Sequence, residues 1–273
     1  MPSAQSPIIS LAGLHRALSV QRLDSYKQDS DRDDVDRVAR YLWNMALSGT
    51  LNSSLHIFEV TLRNAIFDTS VKLVDTRKLN LPDVPCWLDA ENSTLLYANE
   101  IAEVNRAKTY LSTDPKRRTP GHLIAKLTFG FWVQLTSRVY NELRADGPQL
   151  WPRGLPLAFP FKWPPGSKKI VPDHLDREMI FNRLHEVREL RNRVAHHEPI
   201  WDLDLEHQYR RMLEILGWMS ARMKDAVTTL DTFPGVLASG SGAYRTRAEQ
   251  LLLPSRSREG ASRPSFPESG DAP

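Results

Sequence analysis

One cysteine, Cys86, is the only thiol in the 273 residues. A lone cysteine excludes a disulfide framework and any cysteine-based zinc module. The sequence also lacks a run of about 18 apolar residues, the minimum for a membrane-spanning helix. Its start, MPSAQSPIISLAGLHRALSV, has neither the basic opening nor the continuous apolar core of a signal peptide. Neither sign of charge dominates: 36 Lys+Arg stand against 33 Asp+Glu, a formal +3 that is too small to name a partner. No phosphate-cradling glycine loop and no serine-nucleophile motif occurs, which argues against nucleotide hydrolysis and esterase chemistry. Together these absences lead to the expectation of a soluble, cytoplasmic protein without membrane attachment.

What is present is ordinary for a globular chain, with 41% hydrophobic and 25% charged residues, so a packed core is expected. The length allows one large domain or two modest ones. Position decides between them. From residue 238 onward the text is rich in Ser, Gly, Pro and Arg, with only Leu251, Leu252 and Leu253 as an apolar cluster. That composition predicts a disordered tail over 238–273 and a single folded domain over 8–237.

Within the body the apolar spacing is helical. Val35, Val38, Ala39, Leu42, Trp43 and Ala46 predict a helix over 31–48, ended by Gly49. Leu51, Leu55, Phe58, Leu62 and Ile66 predict a second over 51–74, and a more polar third spans about 93–111. Thr119-Pro120 opens a fourth, continuing through Phe131 and Trp132 to about Leu143. The aromatic series Phe129, Phe131 and Trp132 is read as core, and Gly130 as allowing close helix packing. Prolines 148, 152, 156, 160, 164, 165 and 172 exclude regular helix across most of 147–172, yet Trp151, Phe159 and Trp163 are too apolar for a free linker. An ordered strap is expected there. A fifth helix runs about 174–197, stopped before Pro199, and a sixth about 203–229. No strand pattern and no internal repeat competes, so the fold class is all-α.

The residues richest in chemistry are LRNRVAHHEPIW, Leu190 to Trp201. At about 100° per residue, Arg191 falls about 45° from the centre of the stripe formed by Ile180, Leu184, Val187, Leu190 and Val194. A guanidinium aimed at a core needs a carboxylate or a polar cavity. The second helix supplies Glu59 on the flank of its own stripe, one turn before Arg63-Asn64. A Glu59–Arg191 or Glu59–Arg63 ion pair is therefore expected. Asn192 and His196 are i, i+4 neighbours and share a face. Arg191 and His196 are about 140° apart on an ideal helix, a separation that a site shared between two copies of the chain would relieve.

These residues resemble a known family. Arg191 and His196 bracket four residues, like the R-x4-6-H signature of HEPN ribonucleases. The wider text is similar to the Abi-like group of bacterial abortive-infection proteins in ALSVQRLDSY (17–26), YLWN (41–44), SLHIFEVTLRNAI (54–66), LTFGFWVQL (127–135), LW with AFP (150–160) and RNRVAHHEPIW (191–201). It departs from that group at Glu198-Pro199-Ile200, where a glycine-containing segment before the Trp is common. The resemblance implies a HEPN-like helical bundle and metal-independent RNA cleavage in defence against phage or as a toxin. In that reaction the ribose 2′-OH attacks the adjacent phosphate and leaves a cyclic phosphate end.

Such chemistry needs a proton-transfer group titrating near neutrality and a fixed cation on the phosphoryl oxygens. The resemblance assigns the first role to His196, with His197 as the alternative, and the second to Arg191. Asn192 would orient His196 or the scissile group, while Glu59, Arg63 and Asn64 would support the site from behind. Expected partners are RNA, a second copy forming a homodimer, and in a toxin setting an antitoxin; no cofactor is expected. Lys116, Arg117 and Arg118, just before the fourth helix, and Lys168-Lys169 could track an RNA backbone. The crowd of His196, His197, Glu198, Asp202, Glu206 and His207 does not follow HExxH order, and no metal is expected on it. A non-catalytic RNA-binding or protein-interaction module is the competing reading.

Overall fold

The computed structural model describes residues 11–73, 88, 95–113, 120–141, 150–163 and 172–253. Among them are twelve α-helices and no strand, as the periodicity predicts. The chain divides into two compact units, residues 1–47 with 235–273, and residues 48–234.

The first unit contains α1 (Ala12–Leu18), α2 (Val20–Asp24), the start of α3 (Asp34–Leu73) and, near the C-terminus, α12 (Arg245–Leu252). Its core is Leu11, Leu23, Val35, Val38, Ala39, Ala248 and Leu252. The Leu251–Leu253 cluster, assigned from sequence to a disordered tail, therefore folds. Ala248 and Leu252 are one turn apart and reach 0% and 4% exposure. Their burial compensates the ordering entropy that composition alone could not offset. The Arg245 guanidinium also holds Asp33 Oδ2 at 2.6 Å and pairs with Asp36. Residues 254–273 lie outside the described set.

That clamp titrates. The Asp33 carboxyl is held below its ordinary value chiefly by Arg245, and Asp36 well below it by Arg32 first and by Arg245 further. Both folded values are depressed. The stabilisation is thus present above the unfolded carboxylate pKa of about 3.9 and is lost as pH falls through the folded values. Amide hydrogen exchange in α12 is expected to accelerate as pH drops below about 4, after correction for intrinsic exchange rates. Unchanged protection in α12 between pH 6 and pH 2.5 would contradict the clamp.

The second unit starts within α3. A break was expected at Gly49, but α3 runs unbroken for 40 residues. A glycine in a helix interior costs only about 1 kcal/mol, less than the packing of Leu47, Leu51 and Leu55, which are at most 2% exposed. Next come α4 (Ala98–Ser112), α5 (Pro120–Lys126) and α6 (Phe129–Gln134). The predicted fourth helix is thus interrupted. Thr128 takes an extended backbone and caps α6, its hydroxyl accepting from Phe131 N–H at 3.1 Å, while its own N–H donates to Glu103 at 2.9 Å. Phe129, Phe131 and Trp132 are buried, as expected for core.

The strap is ordered where described, 150–163, with one helical turn, α7 (Leu155–Ala158). Leu150, Trp151, Leu155 and Phe159 are fully buried. Trp151 Nε1 donates to the Leu135 carbonyl at 2.6 Å. Gly154 is needed for close approach, since a Cβ there would lie 2.5 Å from the Leu150 carbonyl oxygen and 2.8 Å from Thr69 Cγ2.

Helix α8 (His174–Ala195) begins with a capping box between Asp173 and Asp176. It packs against α6 and against α9 (Leu205–Met219). The sixth predicted helix is two: Ser220 interrupts it with an extended backbone (φ −157°) and caps α10 (Ala221–Leu230) through Met223 N–H. A short α11 (Phe233–Ser239) follows.

Candidate functional site

The last two turns of α8 carry the Arg-Asn-x-x-x-His constellation, and the middle of α3 faces them. Arg191 Nε donates to Glu59 Oε2 at 3.2 Å. Of the two ion pairs expected for Glu59, this is the one formed. The two side chains are 37% and 23% exposed. At that exposure the pair contributes about 1 kcal/mol or less. Its effect is positional: Nε is committed to the carboxylate, and the guanidinium keeps its two Nη groups.

Arg63, one turn after Glu59, is half-buried, and its Nε has no hydrogen-bond partner among the described residues. Asn64 is elsewhere. It is exposed and lines a groove of about 340 Å³ with Val60, Thr61, Asp68, Met219 and Ser220. On helix geometry Asn64 is five residues from Glu59, about 140° around α3, so it does not back the arginine.

The helix end has a defined geometry. Pro199 was expected to stop the helix at about 197, but α8 ends at Ala195 and His196 is its C-cap. The Glu198 N–H donates to the Arg193 carbonyl at 2.8 Å and the His197 N–H to the Val194 carbonyl at 3.2 Å. These are the 6→1 and 5→2 bonds of a Schellman motif. Its left-handed position, which favours glycine, is filled by His197 at φ 57°. Arg193 Nη1 donates to the Pro199 carbonyl at 3.2 Å and ties the following loop to the helix. Ile200 then plugs the core at 0% exposure.

Both histidines are exposed. Asn192 is half-buried, and its carbonyl accepts the His196 N–H at 2.8 Å. Among the described residues no hydrogen bond joins the Arg191 and His196 side chains. Nor do any three His, Cys, Asp or Glu converge to hold a metal ion. His207, part of the acidic-histidine crowd, instead has Arg210 at 3.0 Å from Nδ1 and Arg211 at 3.4 Å from Nε2. Lys116, Arg117, Arg118, Lys168 and Lys169 lie outside the described residues.

Two buried cations, Arg40 and Arg177, stand outside the motifs singled out above. Arg177, in the first turns of α8, is 4% exposed, and its Nη1 donates to the Thr136 carbonyl at 3.2 Å. Burial lowers its pKa, with Glu178 opposing the shift and Arg138 adding to it. The signal was available. Arg177 continues the Ile180–Leu184–Val187 stripe at i−3, and the angular test that singled out Arg191 flags it too.

No described helix is long and apolar enough to cross a membrane. No curated protein and no solved structure gives a significant match to the chain. The profile of the family described as Abi-like protein does match, over residues 8–202. That span contains Glu59 and all of α8 with its histidine turn, and it takes in more than two thirds of the sequence. The chain belongs to the Abi-like protein family.

Proposed function

We propose that the chain is a metal-independent endoribonuclease of HEPN type, acting in abortive infection against phage or as a toxin. The observation that carries this reading is the Glu59–Arg191 pair at 3.2 Å. It fixes a partly exposed guanidinium about one turn from the helix end that bears His196 and His197. With Nε engaged, the Nη groups are free to donate to the two non-bridging phosphate oxygens, a planar fork that a lysine cannot copy. His196 takes the 2′-hydroxyl proton, the 2′-oxygen bonds to phosphorus as the P–O5′ bond breaks, and the leaving 5′-oxygen takes a proton from water. The products are a 2′,3′-cyclic phosphate and a 5′-hydroxyl. Arg191 stabilises the charge that builds on the phosphorane oxygens.

Arg191 and His196 are five positions apart in the chain, about 140° and about 7.5 Å along an ideal helix. That separation favours a site completed by two copies, Arg191 of one facing His196 of the other. It is also the observation behind a second reading, a non-catalytic RNA-binding or interaction module. On the ribonuclease reading RNA is the substrate, a homodimer is the functional form, and an antitoxin would act by covering this helix end.

The test is RNA incubated with purified protein in EDTA, followed by mapping of cyclic-phosphate ends. The ribonuclease reading expects cleavage that survives EDTA and disappears in Arg191→Ala and in His196→Ala. Undiminished cleavage in the double variant sinks it. Binding without any product supports the second reading.

A further inference from the structure

The outer end of the strap presents aromatic rings and cations on one surface of the second unit. Phe161 is 57% exposed. Its backbone is nonetheless fixed, because its N–H donates to the Trp218 carbonyl at 3.1 Å. Beside it, Lys162 Nζ lies 4.4 Å from the Trp218 ring centroid and 4.8 Å from that of Trp163. The Arg183 guanidinium lies 5.0 Å from the same Trp218 ring. Both tryptophans are half-buried. Arg183 is also paired with Glu214, at 2.7 Å.

This arrangement is poor as protein packing. A ring held outward forgoes the burial that makes aromatic residues stabilising. A protein-docking patch concentrates apolar rings at its centre and is depleted in lysine. Here lysine sits between two indoles. Rings with cations on their faces suit a flexible strand that offers flat bases and phosphates together.

We propose that Phe161, Trp163 and Trp218, with Lys162 and Arg183, form a binding surface for single-stranded RNA, a site separate from the helix end that carries His196. Bases stack on the exposed Phe161 ring and on the indole faces that Lys162 and Arg183 leave open, and the two cations meet the backbone phosphates. The proposal rests on the reading that RNA is the substrate, and it places part of substrate recognition on the strap and α9. Helix α8 carries both Arg183 and Arg191, eight residues or about 12 Å apart along its axis. A strand covering a site of about 4–16 nucleotides spans that distance.

The experiment is fluorescence anisotropy of a fluorescein-labelled 12-nucleotide single-stranded RNA with the full chain. It uses the His196→Ala form to prevent turnover, and cleavage by the unsubstituted chain is measured in parallel. Phe161→Ala and Lys162→Ala, each placed in that background, are expected to weaken binding about tenfold, with unchanged circular dichroism. Lys162→Ala should also reduce the salt dependence of binding by about one counterion. Lys162 is only half-buried, so its variant tests the proposal even if Phe161→Ala fails to fold. Weakened binding in both variants supports the surface, even if no preparation cleaves RNA; in that case only the ribonuclease reading falls. Unchanged affinity alongside normal cleavage overturns the surface and leaves that reading standing. No RNA binding by the parent, or a change in sedimenting mass in place of RNA affinity, also overturns it, the latter marking a protein contact.

Discussion

Arg191→Ala and His196→Ala are each expected to lower RNA cleavage by about 100-fold or more, with little loss of stability. The rate effect follows from the two roles. A positioned acid–base contributes roughly 10²–10⁴-fold, and removing one donor to a developing oxyanion costs about 10²–10³-fold. The small stability effect follows from exposure. His196 is exposed and contributes no side chain to the core. Arg191 has one ion pair, to a Glu59 that is itself 23% exposed. Loss of such a pair is worth about 1 kcal/mol or less, a shift of about 2–4 °C in Tm for a domain of this size. Arg191→Lys sharpens the test. It keeps the charge but not the fork, and it should remain at least about tenfold impaired if the guanidinium grips two oxygens at once. A lysine variant with full activity would reduce Arg191 to a simple positive charge.

Trp151→Ala is expected to destabilise the second unit by about 3–5 kcal/mol, the usual range for deleting a buried large aromatic. The ring is fully buried, and its Nε1 supplies the 2.6 Å hydrogen bond to the Leu135 carbonyl. Removal therefore opens a cavity and strands a buried acceptor in one step. Trp151→Phe separates the two terms: it keeps most of the ring volume and should cost about 1–2 kcal/mol. Urea unfolding followed by circular dichroism checks both variants, through the midpoint and the slope together. If Trp151→Ala unfolds at the same midpoint as the unsubstituted chain, the strap is a surface decoration rather than part of the core.

How much could be read in advance varied with the physics involved. The α8 stripe was legible because Ile180, Leu184, Val187, Leu190 and Val194 repeat at helical spacing, and the same geometry exposed Arg191 as a cation in need of a partner. Glu59 was found for the same reason, on the flank of another stripe. The helix breaks were not legible. Thr128 and Ser220 end helices by capping, but hydroxyl residues also occur inside helices, and only tertiary packing decides which role they take. Gly49 misled in the opposite sense: its intrinsic cost is small beside the burial of its neighbours. The C-terminal leucines misled because their partners, Val35, Val38 and Ala39, lie some two hundred residues earlier in the chain. Asn64 shared a dipeptide pattern with Asn192, yet a rotation of about 140° on α3 turns it away from the arginine.

The left-handed backbone at His197 bears on which histidine would act in the proposed cleavage. A repeat of the form R-x4-6-H treats His196 and His197 as interchangeable, as if one more residue merely lengthened the arm. On this backbone it does not. His196 stays close to the helical trend at φ −90°, ψ 7°, while His197 reverses the sign of φ to 57°. The two imidazoles therefore leave the chain along divergent vectors, and a substrate aligned with one is not aligned with the other. The assignment is thus a binary choice made by backbone handedness. Moving the histidine by one position would re-aim its imidazole rather than shift it slightly.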